Sequence, residues 1–373
     1  MEGSGEREPG VAPELLSRDI DRVVEEIYAH VVKLKAVRGL SEGLRASGLV
    51  GRAGLGRPCC FYAVDSSFTA PPIEIAGGYL GVIQVAELVS GGSCTGSHRL
   101  RAYVEYHPNR DLTSVKARLY ERMALLHALE ARRRGAAGFD VALIDGGLLY
   151  RGGLEEYSYL SPEESGVVDE VASLTVRAFE TAWETNTPLV GVLKRSYSRD
   201  LAALHGLRGV GLSDRVLMTM ILEEGEYHVA GDYVSILRGL KSVFEKLEDE
   251  EGEEASLLRS RIQWLESIVN RYKVRVAERV KIVFYKPRSP RSLAVKAEVY
   301  EPRGWRISEV VEALMGSTGS TGFPIPLDYV DQMASITPAV RQLVYDLVKS
   351  KLSARDAELA EILMKLVNPQ KPA

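Results

Sequence analysis

The stretch FYAVDSS, residues 61–67, places an aspartate at the end of a hydrophobic segment. The pattern recurs in FDVALIDGGLLY, residues 139–150, where Asp145 precedes two glycines. Short apolar runs that are bounded by polar or glycine residues are typical of buried strands. The sequence therefore predicts two strands that each end in a carboxylate, at Asp65 and at Asp145.

The segments around these strands predict an α/β fold with a mixed sheet. Helices are expected over 14–48, 113–134, 163–184 and 233–275, from Asp214 behind the N-cap Ser213, and from about Trp305 onward. Strands are expected over 58–65, 74–89, 98–106 and 139–145, and within 187–196, 279–287 and 292–302. The glycine-containing segment 74–89 suits either a β-hairpin arm or a long central strand.

Composition limits the classes of function. The chain has 373 residues and a net charge of −4, so a nucleic-acid site must be a local basic patch. Its three cysteines do not suggest a disulfide framework, which favours a reducing, cytoplasmic setting. Because no apolar run approaches the length of a membrane span, we expect no membrane association. The excess of arginine over lysine leans towards a thermophilic source.

The two strand-end aspartates suggest a metal site. In a mixed sheet the two strand ends can lie side by side, and two carboxylates at such a short distance repel each other. A fold tolerates this mainly when a cation lies between them, and hard divalent metals bind carboxylate oxygens. Two such metals about 3.5–4 Å apart can activate a water and stabilise the leaving oxygen of a phosphodiester.

Glu121 supplies a candidate third carboxylate on the helix between these strands. Its helical neighbours at positions 117, 124, 125 and 128 are three alanines and a leucine. This small apolar stripe lets the helix approach the sheet closely, so Glu121 would be partly desolvated and in need of a partner.

Each acidic residue also has a structural interpretation. Asp65 and Asp145 are each compatible with a turn or cap, and Glu121 can pair with Arg118 or Arg122. Their conjunction in a compatible chain order favours a metal site. No zinc-like spacing of histidines and cysteines occurs, and no phosphate-binding loop follows Asp145, so we expect no ATPase activity.

A basic cluster with one aromatic residue follows the strand at 187–196. It is the segment KRSYSR, with Lys194, Arg195, Tyr197 and Arg199. Cations that follow phosphates and a ring that stacks on a base suit single-stranded nucleic acid. The alternative is a solvated loop.

Several segments, in order, resemble the NurA family of archaeal and bacterial nucleases. They are AVDSSF (63–68), YERMALLHALE (120–130), LIDGGLL (143–149), LVGVLKRSYSRDL (189–201), SDRVLMTMILEEGEY (213–227), AEVYEP (297–302) and GFPIPLDYVDQMASIT (322–337). The resemblance implies an RNase H-like core over about 55–230 and 278–340, with a helical insertion over about 233–275. We expect a single domain over 15–366, a disordered lead-in over 1–14 and a tail over 367–373.

The resemblance also implies an activity and partners. It implies a Mn²⁺-dependent 5′→3′ exonuclease and single-strand endonuclease, with Mg²⁺ as a second candidate metal. It implies a homodimer that acts with the hexameric HerA translocase in DNA-end processing. Residue by residue, Asp65, Glu121 and Asp145 match the family's acidic metal ligands, and Lys194 matches its lysine.

Asp331 is a departure from the family pattern, which usually has histidine at this position. Aspartate is an acceptable ligand for a hard metal, so Asp331 is a candidate fourth ligand. The alternative is a solvent-facing helix residue. Two functions follow: a metal-dependent DNA nuclease, or a non-catalytic NurA-like subunit that binds DNA or the motor. The three intact acids favour the nuclease.

Overall fold

A computed structural model describes most of the chain. The described residues are 13–33, 35–54, 56, 58–75, 77–92, 94–108, 112–150, 162–207, 211–247, 252–289 and 292–358. Nearly all of the expected lead-in over 1–14, and the whole tail over 367–373, lie outside them. The division into one domain with an insertion stays a prediction.

The described chain contains both strands and helices, interspersed along the sequence. The strands are β1 (Val50–Arg52), β2 (Phe61–Phe68), β3 (Ile73–Ile75), β4 (Gly78–Ser90), β5 (Ser97–His107), β6 (Val141–Asp145), β7 (Leu189–Leu193), β8 (Glu226–Asp232), β9 (Val280–Tyr285) and β10 (Val295–Tyr300). The helices are α1 (Pro13–Lys33), α2 (Lys35–Ala46), α3 (Leu112–Arg133), α4 (Pro162–Glu184), α5 (Asp200–Leu204), α6 (Asp214–Ile221), α7 (Tyr233–Glu245), α8 (Glu253–Tyr272), α9 (Val274–Ala277), α10 (Ile307–Gly316), α11 (Ile325–Ala334) and α12 (Pro338–Ser353).

All ten of these strands form one mixed sheet. Its order is β1-β8-β9-β10-β7-β6-β2-β4, with β3 and β5 both paired to β4. Strands β2, β6 and β7 run parallel, and the remaining pairs are antiparallel. The antiparallel strands β2, β4 and β5 are followed by α3 and then by the parallel strands β6 and β7, which α4 joins. This is the element order of an RNase H-like core. The predicted fold class is confirmed.

The sheet separates two apolar layers. On one face, Tyr62 and Val64 pack in the large core that includes α3, α4, α7 and α8. On the other face, Ala63 and Leu143 pack against α10 and α11. Because side chains alternate between faces along a strand, Asp65 and Asp145 follow Ala63 and Leu143 onto the α11 face.

Most predicted elements occur where the sequence placed them. The helical regions near 14–48, 113–134 and 163–184 are confirmed, and Ser213 caps α6 by accepting from the Val216 N–H at 3.4 Å. The segment 74–89 forms a short strand and a long one, separated by a turn in which Gly77 has φ +80°. Strands β1 and β8 were not predicted; β8 contains a bulge near Gly231 and ends in the N-cap of α7.

The cysteines depart from expectation. Cys60, next to β2, and Cys94, in the β4–β5 turn, form a disulfide with Cα atoms 5.6 Å apart. The sequence predicted no disulfide framework and gave no sign of this single bond, because a separation of 34 residues does not show that β4 brings this turn back beside β2. Since intracellular proteins of hyperthermophiles can be rich in disulfides, the bond does not decide the compartment. In the described part of the chain, none of the helices is long and apolar enough to cross a membrane.

Candidate metal centre

Three aspartates converge on the α11 face of the sheet. Val64 pairs with Ile144 across the parallel strands β2 and β6, so the next residues, Asp65 and Asp145, lie side by side. Strand β6 ends at Asp145, whereas β2 continues to Phe68, so the predicted strand end at Asp65 was wrong. Helix α11 crosses this face and contributes Asp331. One carboxylate oxygen from each of the three residues lies within 4.8 Å of the others. The predicted proximity of Asp65 and Asp145 is thus observed, and Asp331 lies beside them.

Lys194 lies among these carboxylates. Its Nζ is 2.8 Å from Asp145 Oδ2 and 2.6 Å from Asp331 Oδ2. Burial lowers the pKa of Lys194, but its bonds to the two aspartates outweigh this and raise the pKa overall. The Lys194 ammonium is thus the positive charge between these two carboxylates. A hard divalent metal would suit the same oxygen donors.

The protonation of Asp65 reflects its surroundings. Burial, followed by the charges of Asp145 and Glu121, raises its pKa to about 8, against the opposing effect of Arg118. Burial also raises the pKa of Asp145 despite its bond to Lys194. Without a metal, the site therefore holds a proton on Asp65 at neutral pH, and a divalent cation would favour its loss.

Glu121 approaches from the opposite face, on α3. It is fully buried, and its carboxylate accepts from Arg118 at 2.6 Å, Arg122 at 2.7 Å and the Ser66 hydroxyl at 2.9 Å. The structure thus shows both of the arginine pairings considered from the sequence, and it does not place Glu121 in the three-aspartate cluster. Since Ser66 follows Asp65 directly, Glu121 adjoins the site, and its role as a metal ligand stays a prediction.

The loop after β7 carries the rest of the predicted basic cluster. Arg195, Tyr197 and Arg199 are exposed, and Tyr197 is 81% exposed. Lys194 turns into the aspartate cluster, whereas these three side chains face solvent just beyond it. The loop is therefore accessible to a ligand.

Two arginines of α3 bind the backbone of the loop after β6, which the sequence did not predict. Arg118 donates to the backbone oxygen of Asp145 at 3.2 Å, and Arg122 donates to that of Gly147 at 2.6 Å. The sequence showed them only as possible partners of Glu121. The sequence gave one indication of their importance: Arg118 lies three residues before Glu121 and Arg122 lies one residue after it.

Comparison with protein families identifies the chain. The family model described as the NurA domain matches residues 60–336, which is most of the chain. The chain belongs to the NurA family. The matched range contains all three clustered aspartates, Glu121 and Lys194. No curated protein matched the sequence significantly.

Comparison with solved structures matches the chain to NurA proteins and to an endonuclease V at low identity. The NurA nuclease from Sulfolobus solfataricus has 13% identity and a TM-score of 0.47, covering 88% of this chain and 98% of that one. A NurA structure bound to dAMP and manganese has 11% identity and a TM-score of 0.46, covering 86% and 94%. Endonuclease V from Ciona intestinalis has 14% identity and a TM-score of 0.31, covering 81% and 95%. These distant similarities do not assign roles to individual residues of this NurA-family chain.

Proposed function

We propose that this NurA-family protein is a metal-dependent DNA nuclease with 5′→3′ exonuclease and single-strand endonuclease activity. The observation that carries the proposal is the cluster of Asp65, Asp145 and Asp331 around the ammonium of Lys194. These three residues, with Glu121, would hold Mn²⁺ or Mg²⁺. The test is cleavage of end-labelled single-stranded DNA by the purified protein in Mn²⁺, Mg²⁺ or EDTA.

The protein's own groups have distinct tasks in this scheme. Bound divalent metal supplies an activated water and stabilisation of the leaving oxygen. Asp65 and Asp145 orient the site from two adjacent strands, whose pairing fixes their spacing. Lys194 can release Asp145 and Asp331 and turn its ammonium towards the scissile phosphate. Arg118 and Arg122 neutralise the buried Glu121 and hold the backbone behind Asp145.

The exposed loop beyond Lys194 would follow the DNA strand. Tyr197→Ala should weaken binding of single-stranded DNA by roughly 1–3 kcal/mol through loss of one stacked base, whereas Tyr197→Phe should bind normally. Arg199→Ala should reduce the salt dependence of binding by about one phosphate contact. Fluorescence anisotropy at several salt concentrations measures both effects.

A matched control for the loop is Arg52→Ala. Arg52 has a side chain that is 66% exposed, and it lies on the edge strand β1, four strands from β7 in the sheet. Its removal should leave both affinity and salt slope unchanged. Equal losses in Arg52→Ala and Arg199→Ala would show that overall charge, and not this loop, governs binding.

Asp331 is expected to be a ligand in place of the usual family histidine. Asp331→Ala should raise the Mn²⁺ concentration for half-maximal cleavage by about tenfold, equivalent to roughly 1.4 kcal/mol of binding. Asp331→His should favour Mn²⁺ over Mg²⁺ and add a pH dependence near about 6–7, where imidazole titrates. Superimposable metal titrations of the three proteins would place Asp331 outside the metal shell.

The biological setting is part of the same proposal. We assign this protein to DNA-end resection in the cytoplasm, as a homodimer beside a HerA-type hexameric ATPase. Such assemblies need apolar surface, and Leu100, Val104 and Tyr106 on β5 are each about half exposed. Light scattering should give twice the chain mass of 41.0 kDa. A monomer at micromolar concentration would contradict the dimer.

The alternative is a non-catalytic NurA-like subunit. The single feature that favours it is the replacement of the family histidine by Asp331. The nuclease assay separates the two functions, because a binding subunit would retain DNA affinity and show no cleavage with either metal.

A further inference from the structure

The chain reverses sharply behind Asp145. Gly146 has φ +106°, and its N–H donates to Val192 O on β7 at 2.8 Å. A Cβ atom on Gly191 would lie 2.5 Å from Gly146 O and 2.8 Å from the Leu148 nitrogen. The loop after β6 therefore passes directly over Gly191, and this path requires a residue without a side chain there.

Glu298 reaches this loop from β10. In the sheet register it is the direct partner of Gly191, whose lack of a side chain leaves space between them. Its Oε2 accepts from the Leu148 N–H at 2.7 Å and from the Leu149 N–H at 3.3 Å. Its Oε1 accepts from the hydroxyl of the buried Tyr233 on α7. Both carboxylate oxygens are therefore engaged.

Helix α3 holds the same loop through two arginines. Arg118 and Arg122 bind the backbone oxygens of Asp145 and Gly147, while Glu298 binds the amides that follow. Two carbonyl groups and two amides of the loop thus each have a charged side-chain partner. Hydrogen bonds of this kind to charged groups are stronger than those between neutral ones.

Glu298 does not belong to the aspartate cluster itself. Its neighbours Ala297 and Val299 pack on the α11 face, so Glu298 points to the opposite face from Asp65 and Asp145. It is 3% exposed, which leaves no access for DNA. Its contacts with the site run through the backbone of the loop.

We infer that Glu298 is a positioning residue, which fixes the loop behind Asp145 and thereby the carboxylate that this strand end presents. The inference rests on the proposed metal site. Groups that orient metal ligands typically change metal affinity by about 10–100-fold when they are removed. A loss of metal affinity of this size is expected for Glu298, although its two hydrogen bonds to the loop act on Asp145 only through the backbone.

The test measures Mn²⁺ binding to the purified full chain by calorimetry, together with thermal unfolding. Glu298→Leu should weaken Mn²⁺ binding by about 10–100-fold. Glu298→Gln should bind Mn²⁺ nearly as the wild type does, because its amide oxygen still accepts from Leu148 and its amide group can donate to the Tyr233 oxygen. Rescue by glutamine identifies hydrogen bonding as the cause.

The matched control is Glu226→Leu. Glu226 is also a buried carboxylate, and it accepts from the Glu223 N–H at 2.8 Å and pairs with Arg45. It lies on β8, four strands from β6. Its loss should lower the unfolding temperature without changing Mn²⁺ affinity.

Two results would overturn the inference. One is wild-type Mn²⁺ affinity in Glu298→Leu; the other is an equal loss of affinity in Glu226→Leu. If Glu298→Leu does not fold, Tyr233→Phe takes its place, with a smaller expected loss of Mn²⁺ affinity, and an unchanged affinity there overturns the inference. Failure of the proposed function is distinguishable, since the wild type itself would then bind no Mn²⁺ and cut no DNA.

Discussion

Asp65→Asn is expected to lower DNA cleavage by about a thousandfold or more. An asparagine keeps the shape of the side chain but removes the charge that would hold a divalent metal at this position on β2. A loss of this size corresponds to roughly 4 kcal/mol of transition-state stabilisation. The measurement is the single-turnover rate on labelled single-stranded DNA in Mn²⁺. The matched control is Glu226→Gln, which alters a buried carboxylate four strands from β6 and should cut DNA normally.

The same substitution should stabilise the metal-free protein at alkaline pH. Because the pKa of Asp65 is raised from 3.8 to about 8, the folded state binds a proton that the unfolded state has lost in this window. Stability of the metal-free wild type therefore falls as pH rises from about 4 to about 8. Asparagine removes this penalty, so the variant should unfold at least about 2 °C higher than the wild type at pH 8. A less stable variant at that pH would refute the account of Asp65.

Removal of metal should abolish cleavage and lower thermal stability. Chelation by EDTA leaves Lys194 and the nearby Arg118 to offset the charge of the aspartates, and neither group can activate water as a bound metal does. Mn²⁺ at about one hundred times its dissociation constant should stabilise the folded state by about 2.7 kcal/mol. Differential scanning fluorimetry across a Mn²⁺ titration measures this.

Asp65→Asn is the internal control for metal removal. It should show little stabilisation by Mn²⁺, although its metal-free form is the more stable of the two proteins. Persistent cleavage by the wild type in excess EDTA would exclude a metal-dependent mechanism. Equal stabilisation of both proteins by Mn²⁺ would place the metal elsewhere.

Local pattern predicted the two strands of the site well. The apolar runs before Asp65 and Asp145 identified strands β2 and β6, and the strand–strand–strand–helix–strand order predicted that they are adjacent. The strand end was placed correctly at Asp145 but not at Asp65, because the polar Ser66 and Ser67 still pair with β4. The alanine stripe on α3 predicted that Glu121 is desolvated, and it is fully buried. These features depend on periodicity and chain order, which a sequence displays directly.

The remaining features depend on contacts between distant segments. Asp331 reaches Asp145 only because α11 packs on one particular face of the sheet, and the helix pattern does not specify that face. Lys194 was expected to face DNA, but without metal its ammonium is drawn to two carboxylates. Glu298 appears in sequence as one of two charged residues, with Lys296, in an otherwise apolar strand; its role depends on Gly191 lying opposite.

The central claim is that Asp65, Asp145 and Asp331 together bind a divalent metal. Anomalous diffraction from crystals soaked in Mn²⁺ tests it most directly. The account predicts a manganese peak within coordination distance of carboxylate oxygens from all three residues, with the Lys194 ammonium displaced from between Asp145 and Asp331. A crystal in which Lys194 still bridges these aspartates, and manganese is absent or bound elsewhere, would contradict it.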